Sequence, residues 1–138
     1  MTDYIQLKIC PVQINEDEYL TDVFKREKYE LNAIPSNSIL DKTLPGLGAT
    51  YSEIEAKRNS IIIEPNVPVI KGKTEKNNKL LAVYEGVADN KIKNYLLNKD
   101  VKYKKVLCTP ESYLKVCKIA NKNNVNLHEN YFCLYDEC

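Results

Sequence analysis

Two stretches of this chain, at 43–50 and 131–138, carry the residue types from which phosphate chemistry is built. The first, TLPGLGAT, places Gly46 and Gly48 shortly before Thr50. A loop that wraps phosphates needs glycine wherever a side chain would block a backbone N–H, and it must open a helix whose N-terminus favours an anion. The chain holds four glycines and two of them sit here, so backbone freedom is concentrated at this loop. In a complete loop of this kind the residue before the threonine is lysine, and the threonine hydroxyl ligates magnesium. Ala49 stands in the lysine position. Losing a charge-assisted hydrogen bond costs about 1.5–3 kcal/mol of binding, and losing a transition-state donor costs on the order of a hundredfold in rate. Such a loop is expected to bind better than it catalyses. Lys42, just upstream, restores the charge if it folds back over the loop; the alternative is a lysine facing solvent.

The second stretch, YFCLYDEC, brings Asp136 and Glu137 to the end of an apolar run. Magnesium prefers hard oxygen ligands and usually takes one or two carboxylates, leaving its other positions to water and phosphate. Asp136 fits that role, and Glu137 fits the orientation or activation of an attacking water. The alternative is that both acids simply end a strand in solvent.

Elements that could position these groups alternate along the chain. Residues 4–10 alternate with period two and read as an accessory strand stopped by Pro11. Leu20, Val23, Phe24 and Leu31 recur at helical spacing and predict a surface helix over 17–31. Short apolar runs at 38–40, 60–63, 79–84, 105–108 and 131–135 then alternate with candidate helices over 50–58, 89–98 and 110–121. Runs such as 61–63 and 132–135 do not alternate, which suits strands covered on both faces. The expected class is α/β with a mostly parallel sheet flanked by helices. Chemistry in such a sheet belongs at the carboxyl ends of the strands. Residues 71–78 read as the one polar loop long enough to move.

The ordered series of motifs resembles the superfamily 2 helicases with DEAD/DEAH-type boxes, and in particular their first RecA-like domain, a P-loop NTPase fold. The stretch at 43–50 looks like the first motif, SIIIEPN at 60–66 like motif Ia, VLCTPE at 106–111 like motif Ib, and YDEC at 135–138 like the start of motif II. The resemblance covers about 36–138, with 1–35 as an accessory strand and helix. It implies ATP at Gly46, Gly48 and Thr50, magnesium at Thr50 and Asp136, and a catalytic role for Glu137. It also implies a DNA or RNA strand across the loops at Pro65–Asn66 and Thr109–Pro110. Where the family offers lysine, a threonine–arginine pair, and glycine with arginine, this chain has Ala49, Asn66–Val67 and Glu111–Ser112. No adenine-reading glutamine is assigned. Unwinding in the family also needs a second RecA-like domain. The chain is therefore expected to be an incomplete domain, the N-terminal piece of a longer helicase-like ATPase and inactive alone. A non-catalytic phosphate or nucleic-acid-binding module, or a structural protein, is the alternative. Thr109 and Pro110 are equally explained as an N-cap and a first helical residue.

Composition sets the frame around these sites. A length of 138 residues suits one domain. No signal peptide opens the chain and no apolar run approaches the ~20 residues that cross a bilayer, so a cytoplasmic protein without a membrane partner is expected. Five cysteines, three of them in runs that look buried, predict free thiols rather than disulfides. The net charge of +1 announces no nucleic-acid partner. Local clusters at Lys71, Lys73, Lys76 and Lys79, and at Lys102, Lys104 and Lys105, read either as phosphate contacts or as solvated rim lysines. His128 is the sole histidine and has no cysteines at ligand spacing. Tyr113, Tyr131 and Tyr135 fall on faces expected to pack, while Tyr51 and Tyr103 read as exposed.

Overall fold

The computed structural model describes residues 12, 13, 15, 18–38 and 49–136. Four parallel strands form its sheet: β1 (Ser60–Ile63), β2 (Leu80–Val83), β3 (Lys105–Cys108) and β4 (Phe132–Tyr135), in the order β2-β3-β1-β4. The α/β class with a parallel sheet is thus borne out. Ile63 pairs with Cys108 on one side and with Tyr135 on the other, so β1, β3 and β4 end level with one another.

Period and chain direction together explain which residues face where. Ile61, Ile63, Leu81, Val83, Val106 and Cys108 point to one face, where α4 (Asp89–Leu96) and α5 (Pro110–Lys122) cover them with Ile92, Leu96, Val116, Ile119 and Ala120. Ile62, Leu80 and Leu107 point to the other, under Ile70 of α3 (Val67–Lys76) and Ile54 of α2 (Ala49–Glu55). The connection from β1 to β2 runs one way along the sheet, while β2 to β3 and β3 to β4 run the other. Crossovers between parallel strands are right-handed, so opposite travel puts α3 on one face and α4 and α5 on the other. Strands covered on both faces explain the apolar, non-alternating runs of β1 and β3, both buried throughout.

Several boundaries differ from the sequence expectation. The helix expected over 17–31 is α1 (Leu20–Arg26), seven residues long, followed by a short 3-10 turn in which Leu31 takes a φ of 59°. Asp22 accepts from the backbone N–H of Tyr19 at 3.1 Å and so fixes the start of α1. Residues 71–76 are not loop but the body of α3, which Pro68 opens within its first turn and in which Ile70 alone is buried. A further short helix, α6 (Leu127–Asn130), begins at Asn126, whose side chain accepts from Glu129 N at 3.1 Å. The expected strand at 4–10 lies outside the described residues, as do 39–40 of the strand expected at 38–40.

Candidate functional site

Thr50 lies in the first turn of α2, and Asp136 directly follows β4, where its backbone N–H donates to Ile63 O at 2.9 Å. The parallel register carries Asp136 to the level of Glu64 at the carboxyl edge of the sheet. There the Thr50 hydroxyl donates to Asp136 Oδ2 at 2.6 Å, across 86 residues of chain. Thr50 is almost fully buried and Asp136 half-buried, so the carboxylate side of this contact still reaches solvent. A hydroxyl and a carboxylate in contact form a hard-oxygen pair, the donor chemistry magnesium takes alongside water and phosphate. Among the described residues no group of three or more His, Cys, Asp or Glu side chains is placed to hold a metal by itself.

Ala49, next to Thr50, is buried in an apolar cluster with Leu20 and Phe24 of α1 and with Ile34, against which Tyr29, Phe132 and Leu134 pack. Its methyl group is part of the core. Lys42, Gly46, Gly48 and Glu137 lie outside the described residues.

The other assigned residues sit at adjacent strand ends. Pro65 and Asn66 follow β1 and are exposed; Thr109 and Pro110 follow β3. The chain leaves β1 toward the α3 face and leaves β3 toward the α5 face. Such a divergence flanks the crevice that open α/β sheets offer to ligands. Thr109 is buried, however, and its Oγ1 donates to Ser112 Oγ at 3.0 Å. It caps α5 by backbone conformation, with no side-chain bond to a backbone N–H of the helix. Glu85 and Glu111, both exposed, flank this edge and oppose a phosphate backbone there.

At the opposite, amino end of the strands stands a charged network that sequence reading missed. Glu53 of α2 is fully buried and receives Arg58 twice, from Nε at 2.7 Å and Nη2 at 2.6 Å, and Ser60 Oγ at 2.7 Å. Lys105 Nζ donates to the Glu53 carbonyl at 2.7 Å and to Ser60 Oγ at 2.9 Å. Arg58 also donates to Ile34 O at 2.9 Å and lies 3.5 Å from the Phe132 ring centroid. Lys105 is therefore neither a rim lysine nor a phosphate contact, since its ammonium is enclosed. Burial pulls its pKa down to about 8 against the opposing pull of Glu53. The available sequence signal was a lysine opening a run of three apolar residues with a serine opening the neighbouring one.

The cysteines and tyrosines divide by position. Cys108 is buried and its thiol is pushed up to about 12 by burial; Cys117 is half-buried and Cys133 exposed, all three as free thiols. Tyr113 and Tyr131 pack at the edge of the main core as expected. Tyr135 does not: it is 52 % exposed, because β4 is the outer strand among those described.

No family model, curated protein or solved structure matches this chain. None of the helices among the described residues is long and apolar enough to cross a membrane.

Proposed function

We propose that this chain is part of the first RecA-like domain of a helicase-like, nucleic-acid-dependent ATPase of the superfamily 2 DEAD/DEAH-box type. It contributes one edge of a nucleotide site and part of a nucleic-acid face. The observation that carries this reading is the 2.6 Å hydrogen bond between Thr50 and Asp136, the two groups assigned from sequence to one magnesium ion. The pair fits magnesium because both donors are hard oxygens and only two positions are taken from the protein. Thr50 and Asp136 would hold the ion, which would supply charge neutralisation at the phosphate oxygens of a bound nucleotide, and Glu137, one residue on, is assigned to orient water. Ala49 offers no charge to the phosphates, so the chain binds nucleotide weakly and turns it over little. Unwinding is assigned to the assembly with a second RecA-like domain.

Calorimetric titration with magnesium ADP and magnesium ATP tests this. Binding is expected to require magnesium, and Asp136→Asn or Thr50→Ala is expected to weaken it by about ten- to a hundredfold, the loss of one charge-assisted contact. Affinity indifferent to magnesium and to both substitutions overturns the proposal. Brisk phosphate release by the unmodified chain overturns its inactivity. A non-catalytic phosphate-binding module is the second reading, favoured by Ala49, whose place in an apolar cluster leaves no room for an ammonium. Nucleotide affinity that no DNA or RNA oligonucleotide alters is its expected signature.

A further inference from the structure

A cavity lies on the α5 face of the sheet, the face away from α2. It has a volume of about 650 Å³ and opens between the C-terminal half of α5, α6 and β4. That size falls within the ~300–1,000 Å³ of small-molecule sites. Its floor is Ile61 of β1, with Val125 and Leu127 beside it, and all three belong to or pack against the main core. The wall is equally set: Val125 N donates to Ala120 O at 2.9 Å, and Asn123 Nδ2 donates to Ile119 O at 2.8 Å, closing the end of α5.

The chemistry of the lining is selective. Asp, Glu, Lys and Arg make up 28 % of the chain, yet among the described residues none of them lines this cavity, and His128 is the one lining residue able to carry a positive charge. A phosphate or carboxylate entering it would lose water and meet no lysine or arginine among these residues, with His128 alone able to carry a counter-charge, so a neutral ligand is better matched. Asn121, Asn124 and Asn126 instead present carboxamides, each both donor and acceptor. The Asn126 oxygen is engaged at the start of α6, which directs its remaining capacity to its amide N–H groups. Tyr113 and Tyr131 add flat ring faces, and Cys117 and Cys133 add polarizable sulfur.

We propose that this cavity binds an uncharged, planar, hydrogen-bonding small molecule of nucleobase or nucleoside size, at a site separate from Thr50 and Asp136. Carboxamides read the edge of such a ligand, the aromatic rings hold its faces, and a lining without lysine or arginine favours it over its phosphorylated forms. The proposal stands whether or not the Thr50–Asp136 pair binds nucleotide.

Cys117 and Cys133 provide the readout, because a ligand in the cavity covers both thiols. The chain is alkylated with iodoacetamide in the presence of adenosine, guanosine, cytidine or uridine, and of their 5′-monophosphates, and modification is followed by mass spectrometry. At least one nucleoside is expected to slow reaction at both thiols, and its monophosphate to protect less. The exposed pair Asn121→Ala and Asn124→Gly, glycine being chosen because Asn124 has a φ of 59°, is expected to weaken that protection by about tenfold, equivalent to 1.4 kcal/mol, while leaving any magnesium-dependent nucleotide binding intact. Lack of protection by all four nucleosides overturns the proposal. So does protection that survives the double substitution, or that vanishes with Asp136→Asn, since the effect would then belong to the other site.

Discussion

Ala49 is the residue on which the proposed phosphate chemistry turns, and its surroundings give it a meaning beyond the absence of a lysine. Leu20, Phe24 and Ile34 close over it. Ala49→Lys therefore places a long charged side chain in a filled apolar cluster, where overpacking alone costs about 1–3 kcal/mol. Urea unfolding is expected to show that loss, without any gain in ATP turnover. A variant of unchanged stability and restored turnover would refute this account of the position. Lys105 offers a test with a sign. Its pKa in the folded chain, about 8, lies below the ordinary lysine value of 10.5, so between those limits the unfolded chain binds more protons. This group's contribution to stability accordingly rises from pH 8 to 10.5. Buried Cys108 acts oppositely: with its pKa raised from 9.0 to about 12, it loses stability as pH climbs above 9. Subtracting the unfolding profile of Lys105→Met isolates the lysine, and the difference is expected to favour the unmodified chain increasingly across that window. A flat difference would mean that Lys105 is not enclosed.

At the scale of elements, the same kind of apolar run carries different weight according to its place in the sheet. β1 is covered on both faces and flanked by β3 and β4, whereas β4 has Cys133 and Tyr135 exposed. Ile62→Ala is expected to cost about 2–5 kcal/mol, and Tyr135→Ser less than about 0.5 kcal/mol, by the same denaturation assay. Equal costs would place β4 inside a larger buried sheet. That contrast also marks what was legible in the sequence. The runs at 60–63 and 105–108 were readable to the residue, because two-sided burial leaves an apolar signature without alternation. FCLY at 132–135 has that signature as well, yet its exposure depends on strand order, which no local pattern encodes. Helix α3 was misread as loop because Lys71, Gly72, Lys73 and Lys76 dilute its apolar face to Ile70; Pro68 after Asn66 was the overlooked start signal. The Thr50–Asp136 pairing was anticipated from motif order, whereas the Glu53–Arg58–Lys105 network was not, since its members gain meaning only when α2 is laid against β1 and β3.

For the whole molecule, charge distribution rather than net charge would govern any encounter with nucleic acid. The acids Glu85 and Glu111 border the carboxyl edge of the sheet, while Lys71, Lys73 and Lys76 lie along α3. Any single-stranded oligonucleotide bound by this chain is expected to be held chiefly by α3. Replacing its three lysines with alanine should flatten the logarithmic salt dependence by about two, at roughly 0.7 per neutralised phosphate on a single strand. An unchanged slope would shift the contact away from α3, and Thr109→Ser or Pro110→Ala would then be the variants to compare. The strand order has one more consequence, for how the chain comes off the ribosome. β1 is one of the two interior strands, but both of its neighbours, β3 and β4, are made after it. At about 5–20 residues per second, the run Ile61–Ile62–Ile63 waits on the order of seconds for its partners, uncovered on both edges. Chaperone capture of the nascent chain should accordingly centre on those isoleucines, and release should follow emergence of the segment that carries Phe132 and Leu134.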